Sequence, residues 1–412
     1  MLEMLDGVRV WIALFFGRFN QNNLSKWSMR LLMIMLIVSF LADFIASDKP
    51  IMFKSGNQWF FPVFGSLVKD GQEFDFKLMP LIPYSPSSLD YKNSLKGPFD
   101  NQILSHWSKR HWLGTDDLGR DIFSGMIHGT RYVFLIGFGA MFIAFLIGLF
   151  MGAVAGFYGD YDYRISNMDI VFLSILIPLV LFFVFESRFY IILDALKNGP
   201  VVLFLEIGIF SFILIGALSL KKFISNRLGL NSWWLKLKRI PIDIIINRCI
   251  EITVSIPVLF LILSIVALLK PSFELLILII GLTYWTGIAR FLRAEVLKVK
   301  NLNYIEAAKT LGYSDWRILL RHIIPNTIGP VLISLSFGMA HTVLIEATLS
   351  FLGIVPGHYI TWGVLLKGAR EFSSPWWIAV FPGLGIFITV TMFNLIGEGI
   401  SDANNPKIQQ DE

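Results

Sequence analysis

One cysteine, Cys249, in 412 residues excludes an internal disulfide and any cysteine-cluster metal site. Charge is also scarce: 16% of residues are Asp, Glu, Lys or Arg against 55% hydrophobic, and the mean hydropathy is +0.65. A soluble globular domain carries more charge and less apolar sequence, so this is an integral membrane protein. No Gly-x4-Gly-Lys-Ser/Thr phosphate loop occurs, and the chain is therefore not expected to hydrolyse ATP itself. No intramembrane grouping of His, Ser and carboxylates stands out, which disfavours a membrane-embedded enzyme. Few intramembrane carboxylates and no evident inverted repeats disfavour a secondary transporter. No cleavable signal is expected, because Asp43 sits where a small-residue cleavage site would belong.

What is present divides by hydropathy and charge. Residues 1–27, with Arg9, Arg18 and Lys26 against Glu3 and Asp6, are expected to be cytoplasmic, and 28–46 to form a first span. Residues 47–128 have nearly balanced charge and suit an extracytoplasmic segment. Within it, Trp59, Phe60, Phe61, Val63 and Phe64 around Pro62 fit a short strand pair or a membrane-surface anchor. Asp116, Asp117 and Asp121 are read as turn and helix-capping carboxylates in preference to metal ligands. Residues 129–158 form a second span, whose Gly148-x3-Gly152-x3-Gly156 face predicts a central, closely packed helix.

Residues 159–240 hold two hydrophobic runs, 170–185 and 201–220, and then a basic loop with Lys221, Lys222, Arg227 and Lys236 around Trp233-Trp234. They are expected to form an inserted, lipid-facing transmembrane hairpin with a basic cytoplasmic loop. Two spans follow in 241–294 (249–269 and 275–293), then a cytoplasmic loop at 295–327. The last two spans fall in 328–397, with an extracytoplasmic loop between them, and 398–412 is a cytoplasmic tail. The expectation is an all-α polytopic bundle of eight spans with both termini inside. A charge at a span centre costs about 2.5–3.5 kcal/mol on insertion scales. Glu206 reads as a snorkelling or helix-paired carboxylate; for His341 and Glu346, lining a translocation path and pairing within the bundle stand as equal alternatives.

The polar stretch 303–325 reads as a helix, a glycine break and a second helix. Asn303 is the expected N-cap, answered by Glu306, and Gly312 the left-handed C-terminal stop. Tyr304, Ala307, Ala308 and Leu311 fall on one apolar stripe, where the alanines permit close approach of another backbone. Ser314 is positioned to cap the second helix, and Pro325 to end it.

Glu306-Ala307-Ala308, three residues, Gly312 and then Ile324-Pro325 resemble the cytoplasmic EAA loop of ABC-importer permeases. His322 departs from the usual isoleucine, but Arg321 through Asn326 is similar to the peptide-importer branch. So are Leu113-Gly-Thr-Asp116 with Gly119 and Asp121, Leu349-Ser-Phe-Leu-Gly353, Trp376-Trp377, Phe381-Pro-Gly383 and Asn394 to Pro406. Asp243, Arg248, Glu251, Ser255, Ile256 and Pro257 match the pattern that ordinarily follows the second span directly, which marks the intervening stretch as inserted. Asp48-Lys49-Pro50 and Trp59-Phe-Phe-Pro62 look like the microcin C permease branch.

The resemblance implies a C-type subunit with a six-span type I permease core plus the inserted hairpin, set in the cell inner membrane. It implies a second homologous permease chain, two ABC ATPase subunits carrying ATP and Mg, and an extracytoplasmic solute-binding protein as partners, besides membrane lipid. It implies no cofactor, metal or nucleic acid in this chain. ATPase coupling would fall to Glu306, Ala307, Ala308, Leu311, Gly312, Ile324 and Pro325. The cargo would be peptides or peptide-like solutes, with nickel chelates next.

Overall fold

The computed structural model describes residues 17, 19 and 21–404, apart from 56–57, 63–74, 105, 160–163, 183–207, 210, 212–215, 217–218, 220–236, 240, 270, 356–358 and 373. Five helices or helical runs among the described residues are long and apolar enough to cross a membrane: α1 (Asn23–Phe40), α3 (Ile122–Tyr158), α7 (Phe273–Lys300), the run Asp315–Phe351, and α12 (Trp376–Asn404). The short α2 (Ala42–Ile45) follows α1. A sixth candidate is broken: α5 (Ile242–Ser255) and α6 (Val258–Leu268) meet at 76°. A straight span at 249–269 was the expectation, but Pro257 has no N–H to continue a helix and biases Ile256 away from helical backbone, so the chain turns there.

The chain divides into two compact units, Met1–Phe157 with Arg248–Glu412, and Tyr158–Asn247. The second nearly coincides with the expected insertion. Its strands β4 (Arg164–Ser166) and β5 (Leu237–Arg239) pair antiparallel with Ser166 opposite Leu237, so the two ends of the insert lie side by side. Between them α4 (Asn167–Phe182) carries most of the first hydrophobic run. Nearly all of the second run, with Glu206, and the basic loop with Trp233-Trp234 lie outside the described residues, as do 1–16 and 405–412 at the termini. Among the described residues there are thus five candidate crossings, or six with the broken pair counted as one, and the rest of the expected eight fall on the insertion, much of which lies outside the described residues.

In the first unit, α10 (Ile324–Phe351) packs against α7, α12 and α11 (Trp362–Glu371), and α12 packs against α1. Val133 and Phe134 of α3, Val343 and Ala347 of α10, Trp362, and Ile386 and Phe393 of α12 share one core. Two buried indoles keep their N–H groups satisfied: Trp362 Nε1 donates to the Met126 carbonyl at 2.8 Å and Trp377 Nε1 to that of Thr115 at 3.0 Å. The glycine stripe of α3 lies on α7. A Cβ at Gly148 would come within 2.7 Å of Ile288, at Gly152 within 2.6 Å of the Ala289 carbonyl oxygen, and at Gly156 within 2.7 Å of Val296.

Hydrogen bonds fix which ends of the helices lie together. Asn22 Nδ2 donates to Asp402 at 3.2 Å, Ser25 Oγ to the Leu395 carbonyl, and Gly329 abuts Asn404. The start of α1, the start of α10 and the end of α12 thus share one end of the bundle. At the other, Arg131 donates to Asp43 at 2.7 Å and to the Ser39 carbonyl, while His128 Nε2 lies 2.8 Å from the Ala46 carbonyl oxygen. That second end bears residues 47–121. They begin with a three-stranded antiparallel sheet in the order β2 (Gln58–Phe60), β1 (Met52–Ser55), β3 (Phe76–Leu78). The strand expectation was one strand short.

The remainder of this segment is held by its acidic motif. Asp116 accepts from the backbone of Leu118 and Arg120 and from Arg120 Nε at 2.6 Å, while Asp121 accepts from Ser124 N at 2.7 Å to cap α3. Fully buried His111 lies between Asp121 (Nδ1, 2.9 Å) and Asp90 (Nε2, 3.5 Å) and stacks on Tyr84 at 4.2 Å. Burial opposes ionisation of Asp90, but hydrogen bonds from Asn93 and His111 outweigh it and hold the carboxyl below its ordinary value. Burial, followed by the Asp90 and Asp121 charges, pushes the Tyr84 phenol up to about 12.

Candidate coupling element and translocation cleft

At the end of the bundle that carries Asp402, α7 stops at Lys300 and α8 (Asn303–Thr310) begins after a two-residue turn. The expected capping box does not form: Leu302 occupies the cap position without a side-chain bond, and Asn303 is already helical. The exit does follow expectation. Gly312 has φ +77°, its N–H bonds the Lys309 carbonyl at 2.9 Å, and the Tyr313 N–H bonds that of Ala308 at 3.2 Å. These two bonds are the Schellman closure of a helix.

The apolar stripe is corrected by the packing. Ile305 and Ala308 are the buried pair, whereas Tyr304, Ala307 and Leu311, at i, i+3 and i+7, form an exposed ridge, with Leu311 73% accessible. Ala308 thus meets its own bundle and Ala307 faces outward. Glu306 is exposed beside the ridge. Burial raises the pKa of the Tyr304 phenol, a shift reduced by a hydrogen bond from Asn326 Nδ2. Lys300 and Lys309 hold their ammonium groups 5.9 and 5.6 Å from the ring of Phe157, near the end of α3, so the ends of α7 and α8 both reach the end of α3.

Pro325 does not end the next helix. α9 (Asp315–Ile318) runs through a π turn at Leu319–Ile323 straight into α10, where Pro325 occupies the first turn. The wider turn removes the need for an N–H at Pro325, which is how a proline is absorbed without a stop. Ser314 stands at the cap position of α9, although its hydroxyl makes no cap bond. Ile324, half-buried, begins α10 beside Pro325. His322 stacks on Tyr313 at 6.2 Å.

Higher in the bundle, a cleft of about 490 Å³ lies between α3, the α5–α6 bend, α7 and α10. One wall is Thr283, Tyr284, Gly287, Arg290 and Phe291 of α7; another is Ser334, Phe337, Gly338 and His341 of α10. His341 and Tyr284 face each other with rings 5.3 Å apart. Glu346 does not line this cleft. It is 1% accessible and accepts a hydrogen bond from Ser350, whose hydroxyl in turn accepts from Thr361 at 3.2 Å, so the carboxylate joins α10 to the start of α11. Tyr284 and Ser334 were not singled out from the sequence, and Arg290 was read only as one of the basic residues at the inner end of its span. Their signal was present, since 283, 284, 287, 290 and 291 recur at helical spacing, as do 334, 337, 338 and 341.

Residues 230–410 match the family model described as binding-protein-dependent transport system inner membrane component. The chain is 27% identical over 306 residues to the dipeptide transport system permease protein DppC of Bacillus subtilis (strain 168), covering 74% of this chain and 71% of that one. It is 26% identical to the glutathione transport system permease protein GsiD of Pectobacterium atrosepticum, covering 80% and 81%. Along nearly its whole length, 95% of each chain, it is 25% identical to the inner membrane ABC transporter permease protein YejE of Escherichia coli (strain K12). The family match begins within the last part of the insertion and includes both α8 and the α7 and α10 walls of the cleft. Residues 230–410, with the crossings α7, α10 and α12, are therefore similar to the binding-protein-dependent transport system inner membrane components, and most of the chain's length is similar to permease proteins of ABC transporters.

Proposed function

We propose that this chain lines the transmembrane path by which peptides or peptide-like solutes are imported, and that α8 couples that path to ATP hydrolysis elsewhere. The proposed complex contains a second, similar permease chain, two ABC ATPase subunits that bind ATP and Mg, and an extracytoplasmic solute-binding protein. Both termini and α8 face the cytoplasm. The observation that carries this reading is the exposed Tyr304–Ala307–Leu311 ridge, on a two-turn helix whose other face, Ile305 and Ala308, is buried in its own bundle. A ridge held in this way transmits a push. Closure of ATPase subunits gripping it would move the ends of α7 and α10, which wall the cleft, and bias the bundle toward one of two states. Such a shift requires different contacts in the two states, and ATP-driven closure supplies them.

The cargo class rests on the relatives named for dipeptide and glutathione transport and on the chemistry of the cleft. Arg290, His341 and the hydroxyls of Thr283, Tyr284 and Ser334 suit carboxylate and amide groups, while Phe291, Phe337 and Met141 tolerate varied apolar side chains. Nickel chelates are the second reading. Cells lacking this chain are expected to lose di- and oligopeptide uptake; normal peptide uptake with loss of nickel uptake would overturn the cargo assignment.

The insertion is proposed to be peripheral to transport. Because Ser166 and Leu237 are already paired across β4 and β5, residues 167–236 can be replaced by a two-residue Asn-Gly turn without moving the flanking strands. That variant is expected to assemble in the membrane and keep measurable uptake. Complete loss of uptake in an assembled variant would place the insertion in the mechanism.

A further inference from the structure

The sheet at the second end of the bundle exposes an apolar face that no described element covers. Side chains alternate across a strand, and the register sets Lys54 of β1 opposite both Trp59 of β2 and Phe76 of β3. Lys54, Trp59, Phe76 and Leu78 therefore share one face. Trp59, Phe76 and Leu78 are 52%, 46% and 43% accessible. The opposite face turns Phe53 inward, fully buried and stacked on Phe60 at 5.1 Å. This is an aromatic and aliphatic surface with one lysine at its centre.

Its distance from the membrane is limited by the chain. Ala46, just beyond α2, pairs with Ile82, and the Ile82 side chain is buried against Ala42, Ala46 and Ile127 at the end of the spans. The sheet leaves this tie at Ala46 and returns to it at Ile82. Met52 is six residues from one side of the tie and Leu78 four from the other, so neither strand end can stand more than roughly 20 Å from it even with the chain fully extended. Ile82 points inward; its neighbour Leu81 is 79% accessible. Below it, α1 exposes Ile34, Ile37 and Phe40, the outward side of a membrane-crossing helix. Exposed apolar side chains thus stand on α1, at Leu81 beside the tie, and on the sheet at Leu78, Phe76 and Trp59, while Asp48 and Lys49 are exposed on the chain that joins the tie to β1.

We infer that this sheet face lies on the headgroup and upper acyl region of the leaflet opposite α8, as a second membrane contact besides the spans. Tryptophan and phenylalanine favour that depth, and a lysine among them keeps its stem on the apolar surface while its ammonium reaches phosphate. The contact would fix the three strands relative to the bilayer and hold the first span in rotation. It depends on the membrane assignment alone, not on the cargo.

The native full chain, co-purified with its partner subunits, tests this in nanodiscs of phosphatidylethanolamine and phosphatidylglycerol. A phospholipid carrying a photoactivatable group near the glycerol is included, and adducts are mapped by mass spectrometry. Adducts on 58–61 and 75–81 are expected at yields near those on the exposed α3 residues Phe138 and Phe142. They should exceed those on exposed Tyr91 in the polar part of the same segment by roughly ten-fold. Labelling no higher than at Tyr91 overturns the proposal. Loss of the adducts on adding the soluble binding protein also overturns it, by assigning the face to that protein. Retention of the adducts with the binding protein present supports the lipid contact.

Discussion

Replacing Gly312 by valine is expected to abolish most substrate-stimulated ATP hydrolysis while leaving the permease in the membrane. No atom lies within 4 Å of a Cβ built at this position, so the effect does not come from a clash. It comes from the backbone: φ is +77°, and a β-branched residue there costs about 1–3 kcal/mol. The cost falls on the Schellman closure that sets the end of α8, so valine favours a frayed last turn and displaces Leu311 from the exposed ridge. Asparagine tolerates the left-handed region far better than valine and supplies the control. Gly312→Asn should retain most of the stimulation, Gly312→Ala less, and Gly312→Val least. The measurement is ATPase activity in proteoliposomes with and without loaded binding protein, alongside co-purification of the ATPase subunits. Equal coupling in all three variants would remove the docking role from α8.

The sequence disclosed this element unevenly, for identifiable reasons. Gly312 was legible because a single residue type dominates positive φ at a helix end. The buried side of α8 was not, because two turns offer two apolar stripes of similar strength, Ile305 with Ala308 and Tyr304 with Ala307 and Leu311. Only the bundle decides which is inside. Asn303 and Glu306 spell a capping box, yet the short turn from α7 puts Leu302 at the cap. Tertiary geometry outweighed a local preference of roughly 1 kcal/mol.

The same contrast holds within the spans. His341 and Glu346 are five residues apart on one helix, hence on different faces; one lines the cleft and the other is buried against Ser350. An apolar run with a lone carboxylate does not show which neighbour receives it. Pro257 carried the signal of the α5–α6 break and Pro325 carried the same signal without producing a stop, since a π turn had already relieved it. The Ser166–Leu237 pairing could not have been read at all, because strands of three residues with 70 residues between them leave no periodicity to detect.

The glycine stripe of α3 supports the second large effect, a loss of stability from the addition of one methyl group. At Gly152 the new Cβ would sit 2.6 Å from the Ala289 carbonyl oxygen and 3.0 Å from its Cα. Both are backbone atoms, so α3 and α7 must separate; a side chain cannot rotate away. Overpacking of this kind costs about 1–3 kcal/mol. Lipid adds no hydrophobic force to draw the helices together again, because lipid tails are as apolar as the faces they would cover. Gly137, on the same helix, has nothing within 4 Å of a built Cβ. Gly137→Ala therefore isolates the helix-propensity gain of up to about 1 kcal/mol without a clash. Gly152→Ala is expected to lower the thermal midpoint of the purified permease in detergent and its yield from membranes, whereas Gly137→Ala should leave both unchanged or slightly raised. Since Met141 of α3 and Thr283, Tyr284, Gly287 and Phe291 of α7 line the cleft, residual Gly152→Ala protein should also transport poorly at temperatures where it remains folded. A Gly152→Ala permease as stable and active as the parent would mean that α3 and α7 do not pack in this register, and the cleft they bound would have to be redrawn.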